Sequence, residues 1–220
     1  MSSTNRPVRA GLDSFYTPDT TARGCVRALG DIRGMRAWEP HAGGGAFVRA
    51  LVQAEAGAVL ATDVDERAPA LRPGSGATFR GIRDARQGPR DEWGRIDLIV
   101  GNPPFNEAEI HVRRAVAEAP LVGMLLRLAF LEGEERASLW REHPPTEVHV
   151  FVTRPSFLEL YEDGTVGRIR KRDKTTGNIV VNRKGKPKLA GADSAAYGWF
   201  VWRRGASRQP FRWLDWRGRA

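Results

Sequence analysis

One cysteine, Cys25, is all that 220 residues contain. A lone thiol closes no internal disulfide and builds no Cys-rich metal module, which argues against a disulfide scaffold and a zinc domain; Cys25 itself reads as a core helix residue. Long hydrophobic runs are also missing: no stretch approaches the ~20 apolar residues of a membrane-spanning helix, so no membrane partner is expected. The segment from Met1 to Pro7 has no apolar core of a secretory signal, and the expected compartment is the cytoplasm. Histidine is scarce, and His111, His143 and His149 show no metal-ligand spacing. They read as structural or surface groups, and no metal site is expected.

Lysine is scarce everywhere except in one place. All five lysines lie between Lys171 and Lys188. Together with arginines they form a block of nine basic residues, Arg168, Arg170, Lys171, Arg172, Lys174, Arg183, Lys184, Lys186 and Lys188, against the single acid Asp173. That block holds nearly all of the chain's formal net charge of +9. Such blocks commonly bind polyphosphate, because each neutralised phosphate releases counterions. A solvated, charged loop would have the same composition, and charge alone does not separate the two.

What remains reads as one globular domain spanning residues 1–220, with 28% charged and 41% hydrophobic residues. Helix-like and strand-like segments alternate, which predicts an α/β fold with a mainly parallel sheet. Helices are expected over Thr20–Leu29, Ala46–Ala56, Glu107–Ala119 and Glu132–Glu142. Strands are expected over Met35–Trp38, Ala58–Thr62, Thr78–Ile82, Ile96–Val100, Leu121–Leu128, Val148–Val152 and Ala196–Trp202. An aromatic segment follows at Phe211–Trp216. Residues 158–195 break this pattern as a basic insertion before the last strand, with a hairpin turn at Lys174–Asn178. The seven tryptophans, Trp199 and Trp202 among them, read as core and sheet packing.

Two turns carry chemistry. Asn102-Pro103-Pro104-Phe105 closes the most apolar strand, on the edge where open α/β sheets bind ligands. An exocyclic amine on adenine is a poor nucleophile because its lone pair is delocalised into the ring. Two acceptors that hold both N–H protons favour the pyramidal nitrogen that can attack. The side-chain oxygen of Asn102 and the carbonyl of Pro103 are candidates, since two prolines leave the backbone little freedom. Phe105 can stack on the base. A simple chain reversal would use the same Pro-Pro pair.

The second turn, Glu39-Pro40-His41-Ala42-Gly43-Gly44-Gly45-Ala46-Phe47, joins a strand to a helix N-terminus. Its glycines allow close approach of a ligand, and Glu39 stands where it can accept from ribose hydroxyls or an ammonium. No Lys-Ser/Thr follows, so this is not a P-loop. Asp63 ends the next strand and is placed either to bind a ribose or to cap the following segment.

With these turns in place the chain resembles the compact, phage and bacterial type of S-adenosylmethionine-dependent DNA adenine-N6 methyltransferase. The family's catalytic motif is Asn-Pro-Pro-Phe/Tyr. Its cofactor motif, Glu-Pro-x-x-Gly-x-Gly-x-Phe, matches Glu39 to Phe47. A Phe-Tyr-Thr-Pro element recurs as Phe15-Tyr16-Thr17-Pro18, and the three come in the family's order. The similarity spans about Ser14 to Arg204.

The resemblance implies a Rossmann-like, seven-stranded class I methyltransferase sheet. It further implies that Tyr16, Thr17 and Pro18 meet the methionine end of S-adenosylmethionine. Glu39, Gly43 and Gly45 would line its amino-acid moiety, Asp63 its ribose and Asp84 its adenine, with Asn102 between cofactor and target. The expected partner is DNA in duplex form, gripped by the basic insertion after base flipping. Methyltransferases of RNA bases and of protein glutamine share the catalytic motif. They usually carry a larger domain before the cofactor loop. His41 departs from the pattern, standing where a first loop glycine is usual.

Overall fold

The computed structural model describes residues 15–207, apart from 162, 174 and 191–194, together with the backbone of 212–214. Among the described residues ten strands form, in chain order β1 Arg36–Glu39, β2 Ala58–Asp63, β3 Phe79–Ile82, β4 Leu98–Gly101, β5 Leu121–Arg127, β6 Glu147–Phe151, β7 Leu158–Leu160, β8 Val166–Arg168, β9 Tyr197–Arg203 and β10 Arg212–Leu214. Four helices intervene: α1 Asp19–Arg27, α2 Ala46–Gln53, α3 Ala108–Glu118 and α4 Ala137–Glu142. The main sheet runs β10-β6-β9-β5-β4-β1-β2-β3. Every pairing in it is parallel except those of β9, which is antiparallel to β5 and β6.

This is the expected seven-stranded sheet, with the short strand β10 added outside β6 in the region of the aromatic tail. Strand alternation sorts side chains onto two faces. Ala37, Val59, Ala61, Leu98, Val100 and Trp199 pack beneath α1 and α2. Their neighbours Trp38, Leu60, Ile99, Val122, Phe200 and Trp202 face the opposite layer with α3 and α4. Covered on both faces, β4 and β5 can be continuously apolar, as their sequences are.

Two helices are shorter than their periodicity predicts, and glycine or strain explains each. The segment from Glu132 begins α-helix only at Ala137, because Gly133 sits at φ 110° and a 3-10 turn, Glu134–Arg136, precedes it. Helix α2 stops at Gln53 because Glu55 adopts φ 58°, outside helical space.

The chain runs outward from β1 to β2 and β3, then returns to place β4 on the other side of β1. That reversal opens a crevice at the carboxyl ends of β1 and β4, where the two chemistry-bearing turns emerge. The insertion leaves the main sheet as the antiparallel pair β7–β8 and continues through bridges Arg170–Leu189, Arg172–Ile179 and Val181–Pro187. Among the described residues, no helix is long and apolar enough to cross a membrane.

Sheet packing is tightest where β5 passes β9. A Cβ on Gly123 would fall inside the indole of Trp199, which is completely buried. Gly123→Ala is therefore expected to cost ~1–3 kcal/mol by overpacking, read as a lower urea midpoint at unchanged m-value.

Candidate active site

The cofactor-type loop owes its shape to two residues in left-handed space. Gly43 has φ 43° and Gly45 has φ 82°, conformations that an L side chain rarely adopts. Asp63 at the end of β2 holds the loop, its Oδ2 accepting from the Gly43 N–H at 2.8 Å. Its Oδ1 accepts from the Asp65 N–H at 2.9 Å, and burial raises the pKa of the carboxyl group. Gly45 serves the turn rather than the crevice: a Cβ there would meet Arg49 and Ala70.

Over this loop lies a strap, Phe15 to Pro18. The Tyr16 ring covers the glycines so closely that a Cβ on Gly43 would come within 2.9 Å of it, and one on Gly44 within 3.1 Å. Burial, with the charge of Asp63 second, pushes the Tyr16 phenol up to about 12. Pro18 is the N-cap position of α1. The strap is fixed from outside by β7: the N–H groups of Tyr16 and Leu158 each donate to the other's carbonyl at 2.9 Å.

The strap also grips the second turn. Asn102 donates through Nδ2 to the Phe15 carbonyl at 3.0 Å, which turns Oδ1 the other way, buried and with no protein partner. Pro103 is buried and Pro104 exposed, while the half-buried Phe105 packs against Tyr197, ring centroids 5.6 Å apart. The Arg127 guanidinium lies 4.5 Å from the centre of the Phe105 ring. Phe15, Tyr16, Thr17, His41, Gly43 and Asn102 thus surround one cavity of about 20 Å³.

Glu39 ends β1 two residues before the cavity-lining His41, at 1% exposure. Its Oε1 accepts from the His41 N–H at 2.9 Å, whereas Oε2 is buried without a partner. Burial pushes its carboxyl group well above the usual range. Asp84 stands apart from the cavity. It caps the turn Ala85–Gln87, and Arg86 binds its carboxylate at 2.6 Å, holding it at about 2.

His111, read from the sequence as structural or surface, is buried against the cavity-lining His41, ring centroids 4.5 Å apart. Val64 and Ile82, at the ends of β2 and β3, are apolar yet 48% and 58% exposed.

The insertion meets the strap through Leu158, but among the described residues none of its basic side chains lines the cavity. Arg168, Lys171, Arg172, Arg183, Lys184, Lys186 and Lys188 are exposed. Arg170 is tied down, bonded to Glu159 at 3.1 Å and stacked 3.9 Å over the Tyr161 ring. Lys174 lies outside the described residues.

No protein-family model and no curated protein matches the sequence. Among solved structures, the chain is similar to a putative RNA methyltransferase, PH1948, from Pyrococcus horikoshii: TM-score 0.59, 15% identity, 88% of each chain. A SAM-dependent O-methyltransferase, TM0748, from Thermotoga maritima aligns at TM-score 0.55 and 13% identity, over 89% of this chain and 69% of that one. The M protein of the type I restriction enzyme EcoKI aligns at TM-score 0.56 and 8% identity; the match covers 88% of this chain but 44% of that one. At such identities the likeness concerns the fold, which is the Rossmann-like class I methyltransferase fold.

The buried Glu39 makes a pH prediction. Its folded-state pKa lies above the unfolded value near 4.5, so its favourable contribution is complete below that pH and is lost as pH rises through the raised value. Glu39→Gln keeps the bond to His41 and should stabilise the protein at pH 7, where the wild-type carboxyl group pays for its burial. The difference should vanish below pH 4.5 in urea titrations.

Proposed function

We propose that the protein is an S-adenosylmethionine-dependent methyltransferase that modifies the N6 amine of adenine in DNA. The observation that carries this reading is Asn102 Oδ1: a buried acceptor without a partner, held in orientation by the strap carbonyl, at the edge of a glycine-walled cavity. Leaving such a group unsatisfied costs ~1–3 kcal/mol unless a ligand donates to it.

The residues present fit the cofactor. Asn102 Oδ1, on the cavity wall, and Glu39 Oε2, two residues before the cavity-lining His41, are unpaired buried acceptors suited to an amine and an ammonium. The exposed Val64 and Ile82 supply apolar surface for a flat ring. A cavity of about 20 Å³ holds one water-sized group. The strap must therefore shift outward to admit the amino-acid end of the cofactor. When bound, S-adenosylmethionine supplies a methyl group on a sulfonium, activated for attack.

The chain's own groups do the rest. Asn102 Oδ1 and the Pro103 carbonyl hold the two amine protons, so the nitrogen lone pair is available to attack. With the cofactor bound, these groups would hold the amine for direct transfer; S-adenosylhomocysteine would be left and the surplus amine proton would pass to solvent on opening. Phe105 stacks on the flipped base. Cys25 takes no part: it is fully buried in α1, and burial pushes its thiol pKa well up. The exposed basic insertion grips phosphate on either side of the flipped base.

Incubation with labelled cofactor and duplex DNA, single-stranded DNA or ribosomal RNA, followed by nucleoside mass spectrometry, is expected to yield N6-methyladenine in DNA. Asn102→Ala should lower that yield at least ~100-fold, as for loss of one positioned hydrogen-bonding group. Label in RNA or protein alone would move the reading to an RNA-base or glutamine acceptor.

Binding to DNA is expected to be steep in salt. Neutralising Lys171, Lys174, Lys184, Lys186 and Lys188 together should flatten the log–log slope by ~0.9 for each lysine that meets a phosphate. An unchanged slope would remove the insertion from the interface.

A further inference from the structure

His41 and His111 form a buried imidazole pair between the cofactor-type loop and α3. Nε2 of His41 lies 3.1 Å from Nδ1 of His111, and the rings meet edge to face with centroids 4.5 Å apart. One hydrogen bond between two neutral imidazoles needs one donor and one acceptor, so the two tautomers are locked together. Burial lowers the pKa of both rings, which keeps the pair neutral.

The far end of the pair decides its direction. Nε2 of His111 faces the Glu107 carboxylate at 3.8 Å, and the charge of Asp84 acts on both rings. A carboxylate favours an N–H turned toward it. With its proton on Nε2, His111 has only a lone pair at Nδ1. His41 must then donate from Nε2, which leaves its own Nδ1 as a lone pair.

That nitrogen is buried and has no protein partner, and His41 lines the cavity with Gly43 and Asn102. It converges with Glu39: His41 Nδ1 and Glu39 Oε1 each stand 2.9 Å from the point that a Cβ on Gly101 would occupy. Of these two atoms, His41 Nδ1 belongs to a cavity-lining residue and Glu39 Oε1 is an acceptor when the carboxyl group is ionised. Such a pair suits an ammonium, which has three N–H groups and no lone pair.

We propose, resting on the cofactor reading above, that His41 Nδ1 accepts from the ammonium of the cofactor's amino-acid moiety, and that His111 is the positioning residue that fixes His41 as an acceptor. The histidine at the usual glycine position then adds a neutral acceptor beside Glu39, one that no negative charge accompanies.

Long-range 1H–15N correlation spectra of the wild-type protein read each tautomer directly. Both rings should carry the proton on Nε2; a proton on Nδ1 of His41 would overturn the proposal. In calorimetry, His41→Phe should bind S-adenosylhomocysteine at least ~10-fold more weakly. Its affinity for methylthioadenosine, which lacks the amino-acid end, should stay unchanged. His111→Phe should weaken S-adenosylhomocysteine and release His41 into a mixture of tautomers, and His111→Gln should restore both. Undiminished S-adenosylhomocysteine binding by His41→Phe, or equal losses for the two ligands, would overturn the assignment. A wild-type protein that takes up no S-adenosylhomocysteine would instead overturn the cofactor reading itself.

Discussion

A carboxyl group buried to 1% exposure at the end of β1 is the constraint around which the crevice is organised. Removing Glu39 from water is costly unless its oxygens find donors. One oxygen is met by the His41 N–H, which forces the chain to turn back on itself immediately after β1. The turn brings the His41 ring under α3 and the glycines beneath Tyr16. It also dictates residue 101: a Cβ there would press to 2.9 Å on both Glu39 Oε1 and His41 Nδ1, so β4 ends in glycine.

Sheet order turns this local constraint into a site. Because β1 lies between β2 and β4, the turns after these three strands open side by side, although residues 39, 63 and 102 are far apart in sequence. Asp63 then ties the β2 end to the β1 loop through the Gly43 N–H, and the Asn-Pro-Pro-Phe turn rises on the other flank. The parallel register does the positioning, so no long side chain has to reach across the crevice.

Much of this was legible in the sequence because it is periodic or local. Strand alternation and glycine placement mark the sheet and the first turn, and the apolar run Leu98–Val100 leading into Asn-Pro-Pro-Phe marks the second. The illegible parts are those made by pairs distant in the chain. His41 meets His111, and Asn102 meets the Phe15 carbonyl, across 70 and 87 residues. Tyr16 bonds to Leu158 through peptide groups, which no side-chain pattern advertises. Arg170 looks like one more cation of a basic block, yet Glu159 and Tyr161 claim it. Asp84, assigned from the family resemblance, is paired with Arg86, a partner the resemblance did not indicate.

The strap gives the crevice its economy. One short segment closes the loop through Tyr16, aims Asn102 through the Phe15 carbonyl, and joins the root of the basic insertion through Leu158. The link to Leu158 is backbone to backbone and so is insensitive to side-chain rotamers, whereas the link to Asn102 fixes the rotamer of its amide. If the cofactor enters by displacing this strap, the acceptor oxygen of Asn102 loses its anchor while the site is open and regains it on closure. Alignment of the catalytic amide and coverage of the cofactor then become the same event. On the proposed reading an open site would not hold its amine acceptor in place, and transfer would be confined to the closed state.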